Sequence, residues 1–125
     1  MQWLAVAVGG ALGAMGRYAV VAHLVPVSAN RFPWGTLAVN MLGCFLVGVV
    51  YVATVEKGLL NAEWRLLLMT GFLGAFTTFS AFALEAVQLW QYGQLLNALI
   101  YVAASVVGCV AAAGLALFIS SRLLG

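Results

Sequence analysis

The sequence predicts an all-α integral membrane protein of four helical spans, and three observations carry that expectation. Apolar residues make up 66% of the chain and charged residues only 6%, against roughly 45 to 50% and 25% in soluble domains. The 125 residues divide into four long apolar segments, each near the ~20 residues that cross a bilayer. Trp3, Trp34, Trp64 and Trp90 stand at the segment ends, where aromatic rings anchor at the membrane interface. The spans fall at about residues 3–25, 34–55, 64–90 and 95–119. A chain of this length leaves no room for an extramembrane domain, so residues 1–125 read as one membrane domain. The formal charge of +2, with no Asp anywhere, excludes the basic surface that nucleic acid needs.

Span one has no basic leader, and its apolar run exceeds the ~7 to 15 residues of a signal-peptide core, so it stays as a span. Gly9, Gly13 and Gly16 recur with Ala5 at helical spacing, a face on which another helix can approach closely. Arg17 lies ~21 Å along that helix from Trp3, short of the far side of a ~30 Å core. Its guanidinium either snorkels to the interface or attracts anions in a wet vestibule. His23 and the stretch from Pro26 to Pro33, with Ser28, Asn30 and Arg31, form the first exposed turn. Span two sets Thr36, Asn40 and Gly43 on one side of a helix. Asn40 either bonds another helix or faces water, and alone it favours the first.

Span three, from Trp64 to about Trp90, would reach ~40 Å as one helix across a ~30 Å core. Gly71, Gly74, Thr77 and Thr78 lower helix propensity in one place, so a break just before Phe79 is expected. A break frees carbonyls for a cation and a helix start for an anion. Phe72, Phe76, Phe79 and Phe82 recur every three or four residues, as one packing stripe or as ring edges toward an anion. After the short turn 91–94, span four carries Asn97, Tyr101, Ser105, Gly108 and Ala112 on one stripe. These either pack against a helix or line a path. Cys44 and Cys109, distant in sequence, read as small buried residues rather than a disulfide or metal site.

No nucleophile and base, phosphate loop or metal motif is present, which argues against an enzyme. What remains is a track of hydroxyls at Thr36, Thr77, Thr78, Ser80 and Ser105, an amide at Asn40, a phenol at Tyr101 and the phenylalanines. Positive charge differs little between the two sides, a pattern that suits insertion in both orientations and pairing with an inverted copy.

The run Gly71-Phe72-Leu73-Gly74-Ala75-Phe76-Thr77-Thr78-Phe79-Ser80-Ala81-Phe82, with Gly16-Arg17-Tyr18 and the run from Gly35 to Gly43 before it, resembles the fluoride channels of the CrcB/Fluc family over essentially the whole chain. Leu73-Gly74-Ala75 departs from the Cys-Gly-Gly often found there. The resemblance implies an antiparallel, dual-topology homodimer with two pores in a bacterial plasma membrane, passing cytoplasmic fluoride outward. By the same resemblance Phe79, Phe82 and Asn40 line the pore, Ser80, Thr36, Tyr101, Ser105 and Glu85 are polar positions near it, and Arg17 belongs to the vestibule. It also implies a structural sodium ion at the dimer centre, held by the carbonyls of Gly74 and Thr77 from each subunit.

A small dual-topology, proton-coupled multidrug exporter is the rival reading. Such an antiporter needs a carboxylate deep in a span, and the sequence offers only Glu85, about five residues from Trp90.

Overall fold

Five helices follow one another in the computed structural model, which describes residues 1–24 and 32–125. They are α1 (Gln2–His23), α2 (Trp34–Glu56), α3 (residues 62–76), α4 (Phe79–Gln91) and α5 (Leu95–Leu123). The third apolar stretch, Ala62–Gln91, is divided into α3 and α4 at Thr77 and Thr78, so four membrane-length stretches remain. The third is interrupted near its middle, where the glycines and threonines predict it. The expected first-turn residues Pro26, Ser28, Asn30 and Arg31 lie outside the described residues.

Local chemistry starts and stops the helices. Asn61 caps α3 by accepting the Trp64 amide at 3.0 Å, satisfying one of the donors a helix start leaves free. At the end of α4, Gly93 takes φ 77°, while the Gln94 amide reaches Leu89 O and the Gly93 amide reaches Trp90 O. That closure needs a left-handed residue, which glycine supplies without steric cost. Turns of wider pitch occupy Leu66–Leu73 and Val52–Glu56, as in the bond from Lys57 N to Val52 O, a winding common at functional positions in helices.

Two pairings build the bundle: α1 lies along α3, and α2 lies along α5. In the first, a Cβ at Gly9 would run into the Leu67 carbonyl and one at Gly13 into the Phe72 carbonyl. The backbones touch, as small-residue faces permit. In the second, Gly48 faces Ala116, Gly108 faces Met41, and Ser121 bonds Glu56 across a sequence separation of 65. Residues of rising number meet residues of rising number, so α2 and α5 run parallel. Helix α4 packs on α5, and Phe32, Leu37, Phe82, Leu89, Ala98 and Tyr101 form the buried cluster where they meet.

Candidate functional site at the helix break

Asn40 clamps both main-chain groups of a residue at the break. Asn40 of α2 donates through Nδ2 to Thr78 O at 3.0 Å and accepts the Thr78 amide on Oδ1 at 2.7 Å. Both main-chain groups of Thr78 are thereby paired while Thr77 and Thr78 stay extended, with ψ of 157° and 116°. A buried amide plane matches a peptide edge in this way because it carries a donor and an acceptor side by side. Of the two openings the sequence left for Asn40, the bond to another helix is therefore realised, and the residue still borders a cavity.

The clamp has a consequence for the neighbouring carbonyls. In an unbroken helix the Thr78 amide would donate to Gly74 O and the Ala81 amide to Thr77 O. Here Thr78 N goes to Asn40 and Ala81 N goes to Thr78 Oγ1 at 3.1 Å, the cap of α4. Gly74 O and Thr77 O lose their helical donors together, and Gly74 is exposed. Two released carbonyl oxygens are the donor type a hard cation such as sodium takes, so these residues fit the expected ion. Arg17 adds a contact absent from either sequence expectation, because its Nε donates to Ala75 O at 3.1 Å. A cation at the last turn of α3 also complements the negative end of that helix.

Beyond the break, two stripes face one another. Thr36, Asn40 and Cys44 follow at intervals of four on α2, and Tyr101, Ser105 and Cys109 do the same on α5. With the helices parallel and offset by the separation of 65 seen for Glu56 and Ser121, the stripes pair into three rungs. Glu85 of α4 closes the first, accepting from Thr36 Oγ1 on Oε2 and from the Tyr101 hydroxyl on Oε1, both at 3.0 Å. Asn40 and Ser105 flank a cavity of about 310 Å³ at the second. Cys44 and Cys109 line that same cavity at the third.

The cavity also meets Thr77, Thr78, Phe79 and Phe82, and among the described residues no charged side chain lines its wall. Ser105 Oγ is buried against it and has no hydrogen-bond partner among the described residues. An unmade hydrogen bond at a buried hydroxyl costs about 1–3 kcal/mol, so this donor is available to whatever enters. Aromatic rings continue inward from the opening, where Phe79 is 78% exposed. Centroids are 5.4 Å apart from Phe79 to Phe82, 5.1 Å from Phe82 to Tyr101 and 5.5 Å from Tyr101 to Phe32.

The predicted residues thus fall into separate groups. Asn40, Thr77, Phe79, Phe82 and Ser105 share the cavity. Thr36, Glu85 and Tyr101 form a hydrogen-bonded group bordering Phe82, and Tyr101 is fully buried. Ser80 is exposed, 3.3 Å from Thr78 Oγ1, and Arg17 stands on the α1 side of the break. One expectation is corrected: the four phenylalanines are not a single stripe. Phe72 and Phe76 stack on each other at 5.7 Å and face Gly16 of α1, whereas Phe79 and Phe82 lie past the break. The extended turn resets the helical phase, so spacing carries no facing information across it. Cys44 and Cys109, expected as small buried residues, are only half-buried and line the cavity. Their interval of four from Asn40 and from Ser105 was the available signal.

Comparison with known proteins shows a family for the chain. Residues 4–117 match the family described as CrcB-like protein, Camphor Resistance (CrcB). A protein of Saccharophagus degradans named fluoride-specific ion channel FluC is 50% identical over 121 residues, covering 97% of this chain and 90% of that one. The FluC proteins of Hahella chejuensis and Acidobacterium capsulatum are 55% and 40% identical, over 90% and 98% of both chains respectively.

Proposed function

We propose, from the premise that this chain belongs to the CrcB family, that it is a passive, fluoride-selective channel in a bacterial inner membrane. Hydrogen fluoride crosses lipid as a neutral acid and ionises inside, and the membrane potential then drives the trapped anion out through the protein. The observation that carries the proposal is the Ser105 hydroxyl, buried without a hydrogen-bond partner among the described residues, in a cavity that none of their charged side chains lines. A small, strongly hydrated anion must exchange water for close donors without being trapped by a full positive charge. Ser105 is such a donor, and the positive edges of Phe79 and Phe82 are suited to act beside it. Asn40 contributes to the cavity wall while its amide is committed to Thr78.

The unit we infer is an antiparallel homodimer with two pores. Phe79, exposed at the cavity mouth, and the released carbonyls of Gly74 and Thr77 are then the surfaces that a second copy covers. A sodium ion held by those carbonyls from both copies supplies a fixed charge that ties the two breaks together. Thr36, Glu85 and Tyr101 hold α2, α4 and α5 in register at one end of the path, and Arg17 draws anions toward the break.

The test is release of fluoride from liposomes reconstituted with purified protein, read by electrode with a potassium ionophore clamping the voltage and a chloride control alongside. Fluoride release without chloride release is expected. No release from folded, dimeric protein overturns the proposal, and proton-driven export of organic cations is then the activity to measure. Phe79→Ile and Phe82→Ile dimers are expected to lose most of the flux. Wild-type currents from both would remove the rings from the mechanism.

A further inference from the structure

The third rung is unexplained by fluoride conduction, because a thiol is only a weak hydrogen-bond donor. Both thiols are free and partly buried, and both line the same cavity, one from α2 and one from α5. The fold draws the two helices together here. They touch on either side of this level, Met41 against Gly108 and Gly48 against Ala116, and the two thiols face one cavity between those contacts. One turn of α-helix rises about 5.4 Å, which sets the sulfurs a single turn beyond Asn40 and Ser105. Cys44 also borders a second cavity, of about 150 Å³, with Gly43, Gly74 and Thr77.

We propose that Cys44 and Cys109 form a two-thiol site for a soft, two-coordinate d10 cation of the Hg2+ class, and that a cation seated there closes the cavity to ions. Among the described residues no group of three or more His, Cys, Asp or Glu is gathered, so a tetrahedral zinc set is not built here. Two thiolates suffice for a soft ion that prefers linear coordination by sulfur. On binding, each S–H bond breaks and an S–Hg bond forms, two protons leave to water, and no electron is transferred. The product is a neutral dithiolate. It carries no net charge into a low-dielectric seam, where burial of an unpaired ion would be prohibitive. Hydroxyl-bearing cavities without the thiol rung offer no such ligand.

The site itself depends only on the two sulfurs, whereas closure rests on the channel reading above, so the experiment measures both separately. Wild-type, Cys44→Ser, Cys109→Ser and doubly substituted proteins are given one equivalent of HgCl2, washed with an excess of a monothiol, and weighed intact by mass spectrometry. Wild type is expected to keep one mercury per subunit and each single variant to lose it, because two linked thiolates outcompete a monothiol that one cannot. Fluoride efflux from treated liposomes, relative to each protein's own untreated rate, is expected to fall roughly tenfold or more in wild type only, and to return with a dithiol chelator. Loss of mercury from wild type, or equal retention by the single variants, overturns the site. Retention without loss of efflux overturns the closure. If untreated wild-type protein carries no fluoride, the channel reading fails while the retention measurement still decides the site.

Discussion

The seam between α1 and α3 is made of backbone, whereas the seam among α2, α4 and α5 is made of side-chain polar groups. In the first, Gly9 and Gly13 bring helices so close that a methyl group would strike the Leu67 and Phe72 carbonyls. Dispersion across touching backbones holds it, because lipid tails leave no hydrophobic force between helices in a membrane. In the second, Asn40 clamps Thr78, Glu85 joins Thr36 to Tyr101, and Ser105 is left without a partner among the described residues. The backbone seam tolerates no change in size and offers no chemistry. The polar seam is also tight where Gly48 meets Ala116, but its unfilled valence is where an ion can act.

The two seams should therefore fail differently, and thermal unfolding of detergent-purified protein beside fluoride efflux separates them. Gly13→Ala should have the largest effect on stability, about 1–3 kcal/mol or failure to fold, since the clash is with backbone that cannot swing away. Gly114→Ala is its control: an added Cβ there would meet no described atom within 4 Å outside its own stretch of helix, so stability should be unchanged or rise by up to ~1 kcal/mol from helix propensity. An intact Gly13→Ala protein with wild-type melting would mean that α1 and α3 are not in backbone contact.

Asn40→Ala comes next, at about 1–3 kcal/mol, because it leaves the Thr78 amide and carbonyl without partners. Efflux should collapse with it, since the break is what exposes the cavity. A variant that conducts normally would show that the break persists without its clamp.

Glu85→Gln should cost about 1 kcal/mol, the difference between a charge-assisted and a neutral hydrogen bond to Thr36 or Tyr101. Passive fluoride efflux should survive, reduced. Complete loss of function in this variant, together with proton-coupled cation uptake by the wild type, would instead support the exporter.

Ser105→Ala should cost no stability, which is expected to stay level or rise by up to about 1–3 kcal/mol, because the hydroxyl it removes is buried without a partner among the described residues. Efflux is nonetheless expected to fall roughly tenfold, the worth of one close donor to the anion. Equal losses in melting temperature and in flux would mean that Ser105 is structural.

Much of this architecture is visible in the residue order. The four spans follow from hydropathy, and the tryptophans at their ends are 51 to 89% exposed, as interfacial anchors should be. The break is readable because a stretch from Trp64 to Trp90 is too long for the bilayer and has its weak helix formers in one place. The glycine face of α1 is readable because close packing demands small residues at helical spacing. By contrast, nothing in the order of residues says that Asn40 is spent on Thr78, or that Arg17 reaches Ala75. Nor does it show that the phenylalanines part into two sets.

What the sequence determined by itself, then, is everything that depends on one helix at a time: length, amphipathic face, interfacial ends and the place where helical hydrogen bonding gives way. Tertiary structure alone decided which stripes meet. The pairing of Thr36 with Tyr101 through Glu85, of Asn40 with Ser105 across a cavity, and the placing of Cys44 and Cys109 on the wall of that same cavity need the parallel offset of α2 and α5. Helical period is a local property of each chain segment, but offset and rotation between helices are set by how their surfaces interlock. Residues 65 apart in sequence become neighbours only once the glycines on both helices have let them close.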